Sequence, residues 1–328
     1  MHPRPRHHTL LLVVCFAAVY LLWGSTFLGN KIALQSIPPM LLSGFRFCAA
    51  GLVLLGIVTA LGRHEHGALV RWTHWRTACI TGALLFLFAN GLLSAGLARP
   101  VPTGVAALIV GSTPITLVTM DRLQTGRGWP STRVIVGMAV GLAGVAMLVA
   151  STILSAPDEL ESRIARTDLV GALMVLASTV FWGAGTILAR SMPQARNPMI
   201  ASSMQMIAGG AMLLVASAAA EPWAPVARIP WSDPAWRAVA FLVFGGSLAG
   251  FSSYMWLVRN TTAAAVSTYA YVNPLVAVLL GWMFLKERVD QGTVIAAALI
   301  LGGVVLMQTG RRGHAGEHRA KKVEEAGA

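Results

Sequence analysis

The chain has 328 residues, of which 55% are hydrophobic and only 12% charged, with a mean hydropathy of +0.66. So little polar surface cannot cover a water-soluble globule of this length, and the soluble classes are excluded. The net charge of +12 sits in tails and between apolar segments rather than in one patch, so nucleic acid is not an expected partner and lipid headgroups are.

Apolar stretches of ~20 residues, enough to cross a hydrocarbon core of ~30 Å, recur along the chain. They lie at about residues 10–30, 40–61, 76–98, 101–120, 132–154, 168–190, 199–219, 235–258, 263–285 and 291–309. Each predicts a helix, because only a helix satisfies its own backbone groups where lipid offers none. A cytoplasmic tail, 1–9, precedes the first. An external loop, 155–167, with Asp158, Glu159 and Glu161 separates the fifth from the sixth, and a basic cytoplasmic tail, 310–328, follows the tenth. Arg4 and Arg6 ahead of the apolar run Leu10–Leu22 are signal-peptide-like, but the Trp23-Gly24 pair at the end of that run recurs in span six and predicts a retained span. Cys15, Cys48 and Cys79 lie in or at the ends of spans, which disfavours a disulfide framework; no metal and no cofactor is expected.

The ten spans divide into two fives, 10–154 and 168–309. A shift of 159 brings Trp23-Gly24 onto Trp182-Gly183, Lys31 onto Arg190, Pro39-Met40 onto Pro198-Met199, Arg46 onto Gln205, Gly51 onto Gly210 and Gly144-Val145 onto Gly303-Val304; a shift of 160 brings Arg99 onto Arg259 and Pro114 onto Pro274. Because five is odd, the second copy must enter the bilayer inverted relative to the first, the architecture of secondary transporters. With the N-terminus inside, sixteen Lys or Arg fall on the inner side and eight on the outer, Arg46 lying within a span. This bias predicts that both termini are cytoplasmic.

Catalysis lacks its residues. No histidine falls inside a predicted span, and Asp121, Asp168, Glu287 and Asp290 lie at span ends, so a paired carboxylate, an HExxH zinc site or a Ser/His couple is not expected, and the protein is read as no enzyme. The same absence predicts weak or indirect proton coupling.

Candidate site residues follow from polarity at membrane depth. In span one Trp23, Thr26 and Asn30 share one helical face, a pattern that Trp182 with Gly185 and Thr186 repeats in span six. Arg46, in span two, either snorkels to the headgroups or gives the cavity mouth a positive potential that favours carboxylates. Pro114 and Pro274 each free a carbonyl, near Val110 and Ala270; Thr113 and Asn273 are placed to bond there, and matched breaks point to a transport site unless they are mere packing kinks. Asn90, Tyr254 and Tyr269, which shares a face with Asn273, complete the set; Tyr271 points elsewhere.

These residues carry a resemblance. Trp23-Gly24-Ser25-Thr26-Phe27, followed by Pro38-Pro39 and Arg46, resembles the opening of an EamA domain of the drug/metabolite transporter superfamily, and Tyr269-Ala270-Tyr271-Val272-Asn273-Pro274-Leu275 with Gly281 and Glu287 resembles the end of a second. The likeness covers about residues 12–309; the first half departs from it, having Arg127 and no glutamate near the place of Glu287. It implies an all-α membrane protein of ten transmembrane helices in two inverted five-helix repeats, multi-pass in the bacterial inner membrane. Its cavity would be lined mostly by helices one, three, four, six, eight and nine. The expected function is export of small amphipathic or amino-acid-like solutes by alternating access. An importer or exchanger and, in another class, a non-transporting scaffold or receptor remain the alternatives; the expected partners are a small-molecule substrate and the bilayer, with a homodimer left open.

Overall fold

The computed structural model describes residues 6–62, 67, 69, 71–97, 99, 101, 106, 109–126, 128–154, 168–224, 226–285 and 291–309. Among these the secondary structure is helical, without a strand. The helices are α1 (Arg6–Ala33), α2 (Pro39–Ala60), α3 (Trp72–Gly82, continued through Ala83–Asn90 and Gly91–Leu97), α4 (Thr113–Thr125), α5 (Thr132–Leu154), α6 (Leu169–Ser191), α7 (Pro198–Ala220), α8 (Pro234–Phe241, continued through Leu242–Phe251 and Ser252–Asn260), α9 (Ala263–Ser267 and Tyr269–Leu285) and α10 (Gln291–Thr309). Eight are long and apolar enough to cross a membrane; α5 is described as apolar over Thr132–Leu148, and α4 is the second part of an expected span whose first part is mostly outside the described residues. The loop 155–167, the tail 310–328, Glu287, Asp290 and Arg127 are likewise outside them, as is the side chain of Lys31.

Helix starts follow from local chemistry. Asn197 Oδ1 accepts the Met199 amide at 2.9 Å and Asp233 Oδ1 accepts that of Ala235 at 2.8 Å, each with a proline in the first turn, where a missing N–H costs nothing. Helix α2 begins with Pro39 but has no side-chain cap of its own. Glu221, just past the end of α7, supplies one: its carboxylate accepts from the amides of Met40 and Leu41, both at 2.8 Å, and from Ser217 Oγ at 2.6 Å.

The halves are joined by two glycine-lined crossings. A β-carbon on Gly51 of α2 would stand 2.9 Å from the Ser203 carbonyl oxygen of α7, and one on Gly210 would stand 3.0 Å from the Gly44 carbonyl oxygen. Gly44 faces Leu214, Cys48 faces Gly210 and Gly51 faces Ile207, so numbers rise along α2 as they fall along α7. The α5–α10 crossing repeats this arrangement, with Gly137 against Met307, Gly141 against Gly303 and Gly144 against Ile300. Equivalent helices of the two copies therefore run antiparallel, and the repeat is inverted. Lipid tails are as apolar as leucine, so such approach of backbones, rather than hydrophobic burial, holds the pairs together. The other neighbours exchange in the same way: α1 packs on α8 and α9 as α6 packs on α3 and α4.

Candidate functional site

Four aromatic rings from four helices meet where the halves face each other. The Trp23 ring centroid is 4.9 Å from Tyr254, 4.9 Å from Tyr269 and 5.7 Å from Trp182. Tyr254 lies 5.4 Å from Trp182 and 5.6 Å from Tyr269. Trp23 and Trp182 are equivalent in the two copies, whereas Tyr254 and Tyr269 both belong to the second. Each such pair is worth about 0.5–1.5 kcal/mol beyond its area, so ring contacts alone help to hold the cluster together.

Polar atoms are nonetheless concentrated here. The Tyr254 hydroxyl accepts from Trp182 Nε1 at 3.0 Å and shares a hydrogen with Thr186 Oγ1 at 2.7 Å, while Tyr20 and Thr268 hydroxyls meet at 2.6 Å one layer away. Trp23 Nε1 donates to the Gly246 carbonyl at 3.0 Å. Gly246 lies in the stretch Leu242–Phe251 that α8 winds as a π-helix, and α3 does the same over the equivalent Ala83–Asn90. Only glycine fits at position 250: a β-carbon there would stand 2.5 Å from Trp23 Nε1. In α3 the corresponding patch is internal, Asn90 Nδ2 donating to the Leu85 carbonyl at 2.8 Å.

The remaining candidates surround this centre. Thr26 Oγ1 donates back to the Trp23 carbonyl at 2.6 Å, and its methyl group would touch a β-carbon on Gly246. Asn30 is half-buried two turns, about 10 Å, further along α1. Asn273 is buried against Gly24 with its Oδ1 unpartnered. Arg46 sits with its guanidinium carbon 4.4 Å from the Phe47 ring centroid, its Nε buried and unpartnered. A column of rings connects it to the centre: Phe47 to Phe86 at 4.3 Å, Phe86 to Phe251 at 5.0 Å, and Phe251 to Tyr254 at 6.3 Å.

Both proline-bearing spans are interrupted, though not at the prolines. Ser112 breaks the helical run and Pro114 falls in the first turn of α4; the Val110 carbonyl it would have obstructed accepts from Thr113 Oγ1 at 2.5 Å. In α9 the turn is at Thr268, and Pro274 lies inside the segment that follows. Tyr271 packs away from the centre, donating to the Met138 carbonyl at 3.0 Å.

One expectation fails. Histidine does fall inside helices of membrane length: α1 begins at Arg6 and α3 at Trp72, so His8 and His74 each lie in the first turn of an apolar helix, and His74 is 6% exposed. The polar interfacial residues before each apolar run are helical, which hydropathy cannot register. Sequence reasoning also missed both π-helical segments, which carry no proline, and the carboxylate of Glu221, whose partners are 180 and 181 residues away.

At the ends of the bundle, Arg190 pairs with Asp121 at 3.1 Å and donates to the Thr261 carbonyl at 3.0 Å, joining α4, α6 and the start of α9. Arg99 donates to Asp168 ahead of α6, and that hydrogen bond is the main reason the Asp168 carboxyl is held below its ordinary value. Among the described residues no group of three or more His, Cys, Asp or Glu could hold a metal ion.

Known proteins resemble this arrangement over nearly its whole length. The EamA-like transporter family matches the chain twice, over residues 10–150 and 169–309. The inner membrane transporter YedA of Escherichia coli (strain K12) is 32% identical, covering 90% of this chain and 89% of its own. The transporter YvbV of Bacillus subtilis (strain 168) is 25% identical over 94% of each chain. An S-adenosylmethionine/S-adenosylhomocysteine transporter of Chlamydia trachomatis is 25% identical over 89% of each. A crystal structure superposes with a TM-score of 0.71 at 20% identity, covering 91% of this chain and 97% of that one, a likeness of fold.

Proposed function

The chain belongs to the EamA-like transporter family and is a multi-pass transporter of the inner membrane, and on that premise we propose that it exports small amphipathic, amino-acid-like solutes by alternating access between its inverted halves. The observation that carries this reading is the convergence of Trp23, Trp182, Tyr254 and Tyr269 from four helices. Flat apolar faces with indole and phenol hydrogen-bonding edges suit a solute with an apolar body and a polar end. Thr26, Asn30, Asn90 and Asn273 are the polar side chains proposed to complete the lining, and the breaks near Pro114 and Pro274 provide the hinges.

Arg46 is assigned to the carboxylate. An unpaired guanidinium next to a buried aromatic column is costly unless an anion visits it, and a carboxylate presents the matching two-oxygen edge. The halves are taken as 10–154 and 168–309 with both termini cytoplasmic, in keeping with the positive-inside bias. S-adenosylmethionine, the named cargo of the chlamydial relative, is an α-amino acid with a large attached group and belongs to the proposed solute class.

A thermal-shift panel on the purified protein tests this: phenylalanine, glutamate, S-adenosylmethionine and a neutral sugar, followed by counterflow in proteoliposomes with the best stabiliser. Stabilisation by an amphipathic amino acid and its saturable, outward-favouring movement is the expected result. Movement favoured in the opposite direction would make the protein an importer, and absence of any flux across the panel would count against the reading.

A further inference from the structure

The inverted repeat makes Gln205 of α7 the counterpart of Arg46 of α2, and because the two helices run antiparallel these residues lie on opposite sides of their crossing. Gln205 is 1% exposed, and neither its Nε2 nor its Oε1 has a hydrogen-bond partner. It lines a narrow crevice between α3, α7 and the α6–α7 connection, too tight to hold a water molecule, together with His74, Thr77, Gln194 and Ala201. Gln194 contributes a second unpartnered amide oxygen; its nitrogen is used, donating to the Ala189 carbonyl. Thr77 Oγ1 donates to the Pro193 carbonyl at 2.6 Å and thereby fixes the connection against α3. Buried polar groups are normally paired, and several unpaired ones aimed into one crevice describe a site that is shut.

We propose that Gln205, Gln194, His74 and Thr77 form a second polar station, on the opposite side of the α2–α7 crossing from Arg46, that opens in the alternate state and takes an uncharged hydrogen-bonding group of the solute, a hydroxyl or a carboxamide. The inference rests on the transport reading above. The carboxamide of Gln205 offers one donating and one accepting edge and no charge, so it pairs with a group that does both, whereas Arg46 only donates. A solute moving between the two stations exchanges a charged contact for neutral ones. The repeat supplies the geometry: what α2 carries toward one end of the crossing, α7 carries toward the other.

Cysteine accessibility tests the station. In a full-length background with Cys15, Cys48 and Cys79 replaced by alanine, Gln205→Cys, Ala201→Cys, Arg46→Cys and the fully buried control Leu213→Cys are reconstituted separately and treated with a membrane-impermeant sulfonated methanethiosulfonate from either face. The expected result is that Gln205→Cys and Ala201→Cys react at least tenfold faster than Leu213→Cys, from the face opposite to that which reaches Arg46→Cys. Acetamide should slow labelling of Ala201→Cys, in which Gln205 is intact, and acetate should not. Labelling as slow as the control from both faces, labelling from the same face as Arg46→Cys, or equal protection by acetate and acetamide would overturn the proposal. If Gln205→Cys does not fold, Ala201→Cys decides alone. Solute flux without labelling removes the station and leaves transport standing; labelling without flux does the reverse.

Discussion

The frame and the centre of this molecule treat the duplication differently. In the frame, α2 against α7 and α5 against α10, the copies have kept the same contacts: Gly51 meets the Ser203 carbonyl as Gly210 meets that of Gly44, and Gly144 approaches Ala296 as Gly303 approaches Gly137. In the centre the copies have parted. Trp23 and Trp182 are equivalent, yet one indole donates to the Gly246 carbonyl and the other to the Tyr254 hydroxyl. Arg46 has Gln205 as its counterpart, and the π-helical segment of α3 is patched by its own Asn90 while that of α8 is patched from α1. Close backbone contacts require a glycine wherever one helix receives the backbone or side chain of the other, and both copies carry one at the matching place, so symmetry there is costly to lose; side chains facing a solute answer to the solute, which is not symmetric.

The largest effect expected from breaking this division is at the centre. Trp23→Ala removes a ring that touches three others and the indole that meets Gly246, which should cost about 3–5 kcal/mol in stability and abolish flux; denaturation monitored with flux checks it, and a stable, active variant would deny the cluster its role. In the frame, Gly303→Ala drives a methyl group to within 2.6 Å of the Gly141 amide nitrogen, and overpacking of this kind costs about 1–3 kcal/mol. The adjacent Gly302→Ala meets nothing within 4 Å and should leave the melting temperature unchanged or raise it slightly through helix propensity, so the pair of variants isolates the crossing from that propensity.

Much of this was legible in the sequence for physical reasons. The spans, the duplication and its inversion follow from hydropathy, spacing and an odd helix number, and Trp23, Trp182, Tyr254 and Tyr269 were singled out because polar or amphipathic groups at membrane depth must face inward. What was not legible depends on contacts far apart in the chain. The π-helical segments are written in apolar residues that would equally form an α-helix, and Glu221 caps α2 from a position that reads as a surface carboxylate after α7. The burial of His74 depends on a helix beginning at Trp72, four residues before the apolar run expected there. The breaks in the fourth and ninth spans were attributed to Pro114 and Pro274, but the turns at Ser112 and Thr268 precede both prolines.

Smaller effects sharpen the comparison further. Arg46→Gln makes the first copy resemble the second, and should lower handling of anionic solutes about tenfold, equivalent to ~1.4 kcal/mol, while neutral ones are spared; paired binding titrations with glutamate and glutamine check it, and an equal loss for both would mean that Arg46 serves the fold alone. Glu221→Gln retains the shape of the α2 cap but removes its charge, and should cost about 1 kcal/mol in a thermal melt. The least effect is expected at the Arg99–Asp168 pair. The carboxyl of Asp168 is depressed from its ordinary 3.8 by the hydrogen bond from Arg99, so what the pair contributes is present above that value and is lost only as pH falls through the depressed one. Stability should therefore not respond to Asp168→Asn more at about pH 5 than at neutrality, and a divergence of the two melting curves across that interval would place the carboxyl in a different environment.

Efflux of preloaded radiolabelled phenylalanine from proteoliposomes, with wild-type protein, with Trp23→Ala and with no protein, tests the central claim most directly. The wild type should empty the vesicles at least tenfold faster than bare liposomes and in a saturable manner, with Trp23→Ala, confirmed folded, returning to the bare rate. Wild-type efflux indistinguishable from bare liposomes, or a Trp23→Ala protein as fast as the wild type, would contradict an aromatic transport centre between the inverted halves.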